Sequence, residues 1–291
     1  MSSDTGRSKA FRGASLLGKI DLSRSLAGVS LAGVSWAVVL SAVFVYLLLP
    51  VVFAMLISVN PSDLYTFPPE SITFQWYIEV FERGTWVSSF ILSFQYSILA
   101  TLIAIALSST AAYAIARFDF RFRNLLDAAT FLPLMIPQII LGLALLLILV
   151  EVNLNNTLLG LSLALAVYAT PYATRSILAA MHNFDRSVEE AAYNLGADEI
   201  QTFLRVTFPM LLPGLLTAAI FSFVVTYSNL QIAVFLSGAG MTPIPVRIFA
   251  QMQFGASPVI AAVATINIFI VLLAIIITER IFGAAEALGY S

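Results

Sequence analysis

Long apolar runs separated by short polar connections dominate the pattern along this chain. Six runs are long enough to be membrane-crossing helices, at residues 34–58, 89–116, 128–150, 158–174, 211–236 and 256–278. An α-helix rises about 1.5 Å per residue, so roughly 20 residues cross a hydrocarbon layer of about 30 Å. The runs do not alternate between apolar and polar residues, as the strands of an outer-membrane barrel would. The pattern therefore predicts an all-α integral membrane protein with six transmembrane helices.

The composition supports this class and excludes several kinds of chemistry. The chain is 60% hydrophobic and 10% charged, whereas about 25% of the residues in a soluble domain are charged. With no cysteine, it has no disulfide, thiolate metal site or cysteine nucleophile. Residues 13–20 (GASLLGKI) nearly match a phosphate-binding loop, but Ile20 stands where Ser or Thr must follow the lysine. We therefore expect no catalytic residue, no metal site and no cofactor on this chain.

The basic residues predict the orientation, because cytoplasmic loops near a membrane are enriched in Lys and Arg. Of the 14 Lys and Arg residues, only Arg83 and Arg247 fall in connections on one side. The others fall on the opposite side: Arg7, Lys9, Arg12, Lys19, Arg24, Arg117, Arg121, Arg123, Arg175, Arg186, Arg205 and Arg280. Both termini are therefore predicted to be cytoplasmic. The predicted organisation is a cytoplasmic leader (1–33), a transmembrane domain (34–282) with a cytoplasmic loop at about 180–210, and a cytoplasmic tail (283–291).

Charged residues are scarce in the middle of the predicted spans. Asp127, Glu151, Arg175 and Glu279 all lie near span ends, whereas proton relays and voltage sensors place ionisable groups deep in the membrane. The alternative of a self-contained secondary transporter or channel would require such groups or inverted repeats, and neither is evident. We therefore expect the energy for any transport to come from another subunit.

Neutral polar residues within the spans are candidates for a substrate path. The dense TYSN cluster of the fifth run supplies three of the six: Gln138, Tyr168, Tyr227, Ser228, Asn229 and Asn267. The alternative for each is a hydrogen bond that holds two helices together. Pro133, Pro137 and Pro171 remove backbone hydrogen bonds from their helices, which indicates either cavity-lining helices or simple packing kinks.

The polar stretch at residues 189–209 predicts two short helices. Ser187 and Glu190 have the spacing of a capping box. Gly196 stands where a left-handed residue ends a helix, and Asp198 begins the next one. Pro209 and Pro213 are expected to end this second helix before the fifth span.

This stretch also predicts a docking surface for a cytoplasmic partner. Small residues bury little area against lipid, but they allow close approach to a groove in another protein. The alternative, that the apolar residues rest on the membrane surface, accounts for Phe203 and Phe208 better than for Glu190, the alanines and the glycine. The predicted coupling residues are Glu189, Glu190, Ala191, Ala192, Leu195, Gly196 and Phe203.

The spacing of this stretch resembles the EAA motif of bacterial ABC importer permeases. The matching positions are Glu190-Ala191-Ala192, Gly196, Val206 and Phe208-Pro209, where the family usually has Ile and Leu at the places of Val206 and Phe208. The resemblance implies a type I ABC importer permease fold in the bacterial inner membrane. It also implies three kinds of partner: a pair of ATPase subunits that bind Mg-ATP, a second permease subunit, and an extracytoplasmic substrate-binding protein.

Residues 232–265 are similar to a narrower group, the second permease of spermidine/putrescine-type systems. That resemblance implies a path for a small polar solute that is polyamine-like, an amine or amino-acid-like. Members of the group often carry an acidic pair where this chain has Ser228 and Asn229. Because ammonium groups favour carboxylates or aromatic faces, this difference weakens the case for a polycation, while Tyr168 and Tyr227 leave room for a small amine or zwitterion. Relatives in this subfamily are also similar to importers of opines, amino-acid-like compounds, phosphonates or iron, so the resemblance leaves the cargo open.

Overall fold

The computed structural model describes residues 31–62, 71–238, 240–255 and 257–287. The predicted leader up to residue 30, with five of the basic residues and the loop at 13–20, lies outside the described residues. The chain divides into two compact units, Met1–Val52 and Phe53–Ser291. In the first unit, residues 31–52 are helical, and the side chains at 36–50 are exposed. The second unit contains the helical bundle.

The described residues form helices joined by short connections. A π-helical turn, Phe203–Thr207, leads into the helix that begins at Phe208. In chain order the helices are α1 Leu31–Ser58, α2 Gln75–Glu82, α3 Gly84–Arg117, α4 Arg123–Met135, α5 Gln138–Glu151, α6 Leu158–Asn183, α7 Ser187–Asn194, α8 Glu199–Thr202, α9 Phe208–Tyr227, α10 Ala233–Leu236, α11 Ile244–Met252 and α12 Pro258–Ala287.

The all-helical class is confirmed, but the count of six spans is not reached by length and apolar character alone. Four helical segments of the described chain meet both criteria: Trp36–Ser58, Gly84–Arg117, Glu199–Tyr227 and Pro258–Ile277. The bent pair formed by α4 and α5 gives a fifth if it is counted as one span.

Helix α6 lies where the fourth span was predicted, and it is the centre of the bundle. It packs along both α3 and α9, and Leu161, Leu165 and Ile177 are almost fully buried. Since α6 faces protein on most sides, small and polar residues replace the apolar ones that lipid would require. The helix continues past Arg175, whose guanidinium lies 3.7 Å from the centre of the Phe131 ring.

The prediction of one helix at 128–150 is wrong. Helices α4 and α5 meet at an angle of 106°, and the chain is extended at Ile136 (ψ 131°) and Pro137 (ψ 130°). A residue before proline is driven out of the helical region, and proline itself lacks the N–H that would continue the ladder. Pro133 lies inside α4 without ending it.

The prediction of one span at 211–236 is also wrong at both ends. Helix α9 ends at Tyr227, and the Asn229 side-chain oxygen accepts the Ile232 N–H (2.9 Å), which starts a new short helix. At the other end, Pro209 and Pro213 do not terminate the preceding helix, because the chain stays helical from α8 through the π-turn into α9. Pro209 lies in the first turn of α9, where proline is tolerated.

Candidate functional site

The connection between α6 and α9, residues 184–207, contains α7 and is called the α7 loop. It forms one end of the bundle. Helix α7 has no buried residue. The predicted capping box is not formed; instead the Ser187 N–H donates to the Asp185 carboxylate (2.9 Å), and this bond lowers the pKa of that carboxyl group. Gly196 has φ +90° and follows α7 as predicted. Asp198 caps the next turn by accepting the Gln201 N–H (2.7 Å), also as predicted.

Most of the predicted coupling residues lie on the outward face of this loop. Leu195 is 90% exposed, and Glu190, Ala191 and Gly196 are exposed beside it, while Ala192 is half-buried. A β-carbon added at Gly196 would meet no atom within 4 Å. The outward face is therefore open in the described chain, and its role in coupling stays a prediction.

Two members of the predicted set point partly into the protein. The Glu189 carboxylate accepts hydrogen bonds from Arg117 Nη2 (2.7 Å) and Thr207 Oγ1 (2.5 Å). Phe203 packs edge-on to Tyr113, with 6.4 Å between ring centres, and is 42% exposed. The spacing of the sequence motif does not distinguish these inward side chains from their exposed neighbours.

A cavity of about 830 Å³ lies beside the loop. Its walls come from the end of α3, from α6 and from α9, and they include Tyr113, Tyr193, Glu199 and Phe203. Among the residues that the structure describes, no three histidine, cysteine, aspartate or glutamate side chains group as metal ligands would.

The predicted path residues form two separate hydrogen-bonded groups. In the first, which lies at the break between α4 and α5, the Gln138 amide bonds the Tyr168 hydroxyl and also accepts from Asn229 Nδ2 (3.4 Å). Tyr172, which the sequence analysis missed, lies 3.5 Å from the Tyr168 hydroxyl. Its position four residues after Tyr168, on the same face of a helix, was the available signal.

In the second group, the Tyr227 hydroxyl donates to Asn267 Oδ1 (2.9 Å), which joins α9 to α12. The Tyr96 hydroxyl donates to the Tyr227 carbonyl oxygen (3.3 Å). Ser228 belongs to neither group, because it is exposed and its hydroxyl donates to the Val224 carbonyl (2.6 Å). The bonds of Gln138 and of Tyr227 join different helices, as the packing alternative requires. A role for these residues in a substrate path stays a prediction.

At the opposite end of the bundle, the segment around α11 is fastened to α3. The Ser89 hydroxyl donates to the Thr242 carbonyl (2.6 Å), and Ser93 Oγ accepts the Ile244 N–H (2.9 Å). Arg247 Nε donates to Ser89, and burial lowers the pKa of the Arg247 guanidinium. The sequence analysis missed this attachment; the serines at a four-residue spacing on one helix were the signal.

Sequence comparisons identify relatives over most of the chain. Residues 108–284 match the family described as "binding-protein-dependent transport system inner membrane component". The putrescine transport system permease protein PotI of Escherichia coli is 31% identical over 79% of this chain and 85% of its own length. The spermidine/putrescine permease PotC of Haemophilus influenzae is 27% identical over 82% and 93% of the two chains. The trehalose permease SugB of Mycobacterium tuberculosis is 32% identical over 84% and 93%.

Two solved structures of ABC transporters contain chains with the same fold. A bacterial ABC transporter that imports the acidic polysaccharide alginate matches with a TM-score of 0.67 and 17% identity, covering 89% of this chain and 98% of that one. The MetNI methionine transporter, in inward-facing conformations, matches with a TM-score of 0.57 and 20% identity, over 72% and 97% of the two chains. With the family match extending from α3 into α12, the chain belongs to the binding-protein-dependent inner membrane transport components and is a permease subunit of an ABC importer.

Proposed function

We propose that this chain forms half of the path for a small organic amine, together with a second permease subunit. A separate binding protein delivers the amine on the outer side, and a pair of ATPase subunits that bind Mg-ATP drives the transport. Both termini lie in the cytoplasm of a bacterial cell, in keeping with the basic residues of the leader and of the loops at 117–123 and 175–205.

The outward face of α7 is the proposed contact for the ATPase. The observation that carries this proposal is that α7 has no buried residue while Leu195 is 90% exposed. Ile200 (71% exposed) and Leu204 (59% exposed) follow Leu195 in the chain, and several exposed apolar side chains together, unlike a single one, are typical of a surface that a partner covers. Gly196 and Ala191 beside it permit close approach, because they add little or no side chain.

The amine assignment rests on the polyamine permeases among the relatives and on the aromatic lining of the path. Tyr168 and Tyr172 pack edge-on, with 5.9 Å between ring centres, beside the Gln138 amide. Aromatic faces and amide oxygens can hold an ammonium group without a carboxylate. The trehalose permease among the relatives makes a neutral sugar the second candidate, since the same groups also hydrogen-bond hydroxyls.

Co-purification tests the ATPase contact. We expect Glu190→Lys and Gly196→Asp to lose the ATPase when the tagged permease is purified from membranes. Glu151→Lys makes the same charge change at the end of α5, away from this loop, and should retain the ATPase at the wild-type level. If both loop variants hold the ATPase as tightly as Glu151→Lys does, α7 is not the docking surface.

Uptake into proteoliposomes tests the cargo. The complete transporter, with its binding protein, is supplied with ATP and either labelled putrescine or labelled trehalose. We expect uptake of putrescine and none of trehalose. Uptake of trehalose alone would replace the amine assignment with a sugar.

A further inference from the structure

We propose that Glu189 is a positioning residue that ties α7 to α3 and α9, so that α7 and the two long helices move together. The proposal rests on the proposed function, in which an ATPase docks on α7. It separates two neighbouring residues that the sequence analysis places in one set of coupling residues. Glu190 belongs to the docking surface, and Glu189 transmits the movement of α7 within this chain.

Helix α7 has few other means of attachment to the bundle. It has no buried residue, so close apolar packing does not hold it. Within the described chain, Glu189 is the residue of α7 whose side chain forms hydrogen bonds or an ion pair with other helical elements. Just before the helix, the Arg186 guanidinium also donates to the Ala116 carbonyl of α3 (2.9 Å). A force applied to α7 therefore reaches the bundle through Glu189, through Arg186 and through the backbone at the two ends of the helix.

The geometry of this contact suits the transmission of movement. A single oxygen, Glu189 Oε1, accepts from both Arg117 and Thr207. The ion-paired side chains of Arg117 and Glu189 are only 14% and 17% exposed, so water and salt screen the pair less than they would at the surface. Hydrogen bonds between charged groups are also shorter and stronger than neutral ones.

Both partners of Glu189 lie at sites where a helix begins or ends. Arg117 is the last residue of α3, where a positive charge is favourable, and its guanidinium lies over the ring of Phe184 (5.1 Å). Thr207 is the last residue of the π-helical turn and is 1% exposed. π-Helical turns are frequent at functional sites. The carboxylate thus holds the end of one long helix and the entrance to the other.

The adjacent glutamate provides the contrast. Glu190 is exposed, and no ion pair to it occurs in the described chain. Exchanging Glu189 for glutamine keeps the size of the side chain and its hydrogen bond to Thr207 but removes the ion pair with Arg117. The same exchange at the exposed Glu151, at the end of α5 and outside the docking surface, is a matched control.

Spin-label distances measure the link directly and require no knowledge of the cargo. The chain contains no cysteine, so Ser187→Cys on α7 and Asp119→Cys beyond α3 give a defined label pair. The distance is measured in the assembled transporter in nanodiscs, without nucleotide and with ATP and vanadate. We expect the same distance in both states for the wild type and for Glu151→Gln, and a shift of several ångströms between states for Glu189→Gln.

An unchanged distance in Glu189→Gln, in a complex that retains the ATPase, would overturn the proposal. Should that variant fail to assemble, Thr207→Val tests the branch to α9 with labels at Ser187→Cys and Leu212→Cys. There too a nucleotide-dependent shift is expected, and a constant distance counts against the link. Failure of the docking proposal is a different result, since Glu190→Lys would then co-purify with the ATPase as well as the wild type does.

Discussion

Substitutions at Gly196 separate a backbone role from a surface role. Its φ of +90° lies in the region that favours glycine, and an added β-carbon would contact nothing within 4 Å in this chain. In the permease alone, a substitution therefore costs only backbone strain. That strain is about 1–2 kcal/mol for alanine, whereas asparagine enters left-handed conformations more readily.

The two roles predict different orders of effect. A cost of 1–2 kcal/mol changes the equilibrium between the ordered and the disordered turn by a factor of about 5–30. Gly196→Ala should therefore loosen the turn between α7 and α8 more than Gly196→Asn does. If the ATPase lies against Gly196, any side chain intrudes into the contact. We therefore expect both variants to lose the ATPase, with asparagine at least as harmful as alanine although it strains the backbone less.

Two measurements separate these effects. Hydrogen exchange over residues 187–202 of the permease without ATPase reports the order of the turn. Retention of the ATPase through washes of increasing salt concentration reports the docking. Wild-type retention by Gly196→Asn, together with loss in Gly196→Ala that parallels faster exchange, would show that the glycine serves the turn alone.

Three further substitutions test the bundle. Gly214→Ala places a β-carbon 2.3 Å from that of Ala180. The overpacking costs about 1–3 kcal/mol and the higher helix propensity of alanine offsets roughly 1 kcal/mol of it, so the melting temperature in detergent should fall. Adding Ala180→Gly should restore it. Asn229→Leu should lower uptake and leave the retention of the ATPase unchanged. Asn229→Asp keeps the oxygen that caps the following turn, so this variant should fold normally. Wild-type uptake kinetics in Asn229→Leu would show that Asn229 serves packing only. Ser89→Ala should lower stability by about 0.5–1.5 kcal/mol, because it removes hydrogen bonds to the partly buried Thr242 and Arg247. The exposed Ser88→Ala should change stability by less than about 0.5 kcal/mol, and equal melting temperatures for the two variants would contradict the assigned bonds.

The sequence was sufficient to predict features that depend on local chemistry. Gly196 follows α7 and Asp198 begins α8, because a left-handed turn and a side-chain cap are properties of a few neighbouring residues. The break at Pro137 is equally local, although the sequence analysis kept one helix across it. The apolar runs predicted the helical class, since each run is a property of one segment.

Features that depend on distant partners could not be predicted. Nothing near Glu189 in sequence indicates that it turns inward, because its partner Arg117 lies 72 positions away. The capping box failed for a local reason that the sequence analysis overlooked, because Asp185, two residues before Ser187, accepts the Ser187 N–H. The central place of α6 also follows from packing between helices, which the residues of one segment do not specify.

Helix α3 connects the two ends of the bundle without interruption. Its 34 residues contain no proline, and they span about 50 Å at 1.5 Å per residue. Ser89 and Ser93 hold the α11 segment near its beginning, and Arg117 holds the α7 loop at its end. A rod pivoting near its middle acts as a lever, and a tilt of about 10° moves each tip by roughly 4 Å in opposite directions for a length of this size. If α3 tilts as a rigid rod, a displacement of the α7 loop at one end produces an opposite displacement of the α11 segment at the other end. Such coupling requires no rearrangement of the residues between the two ends.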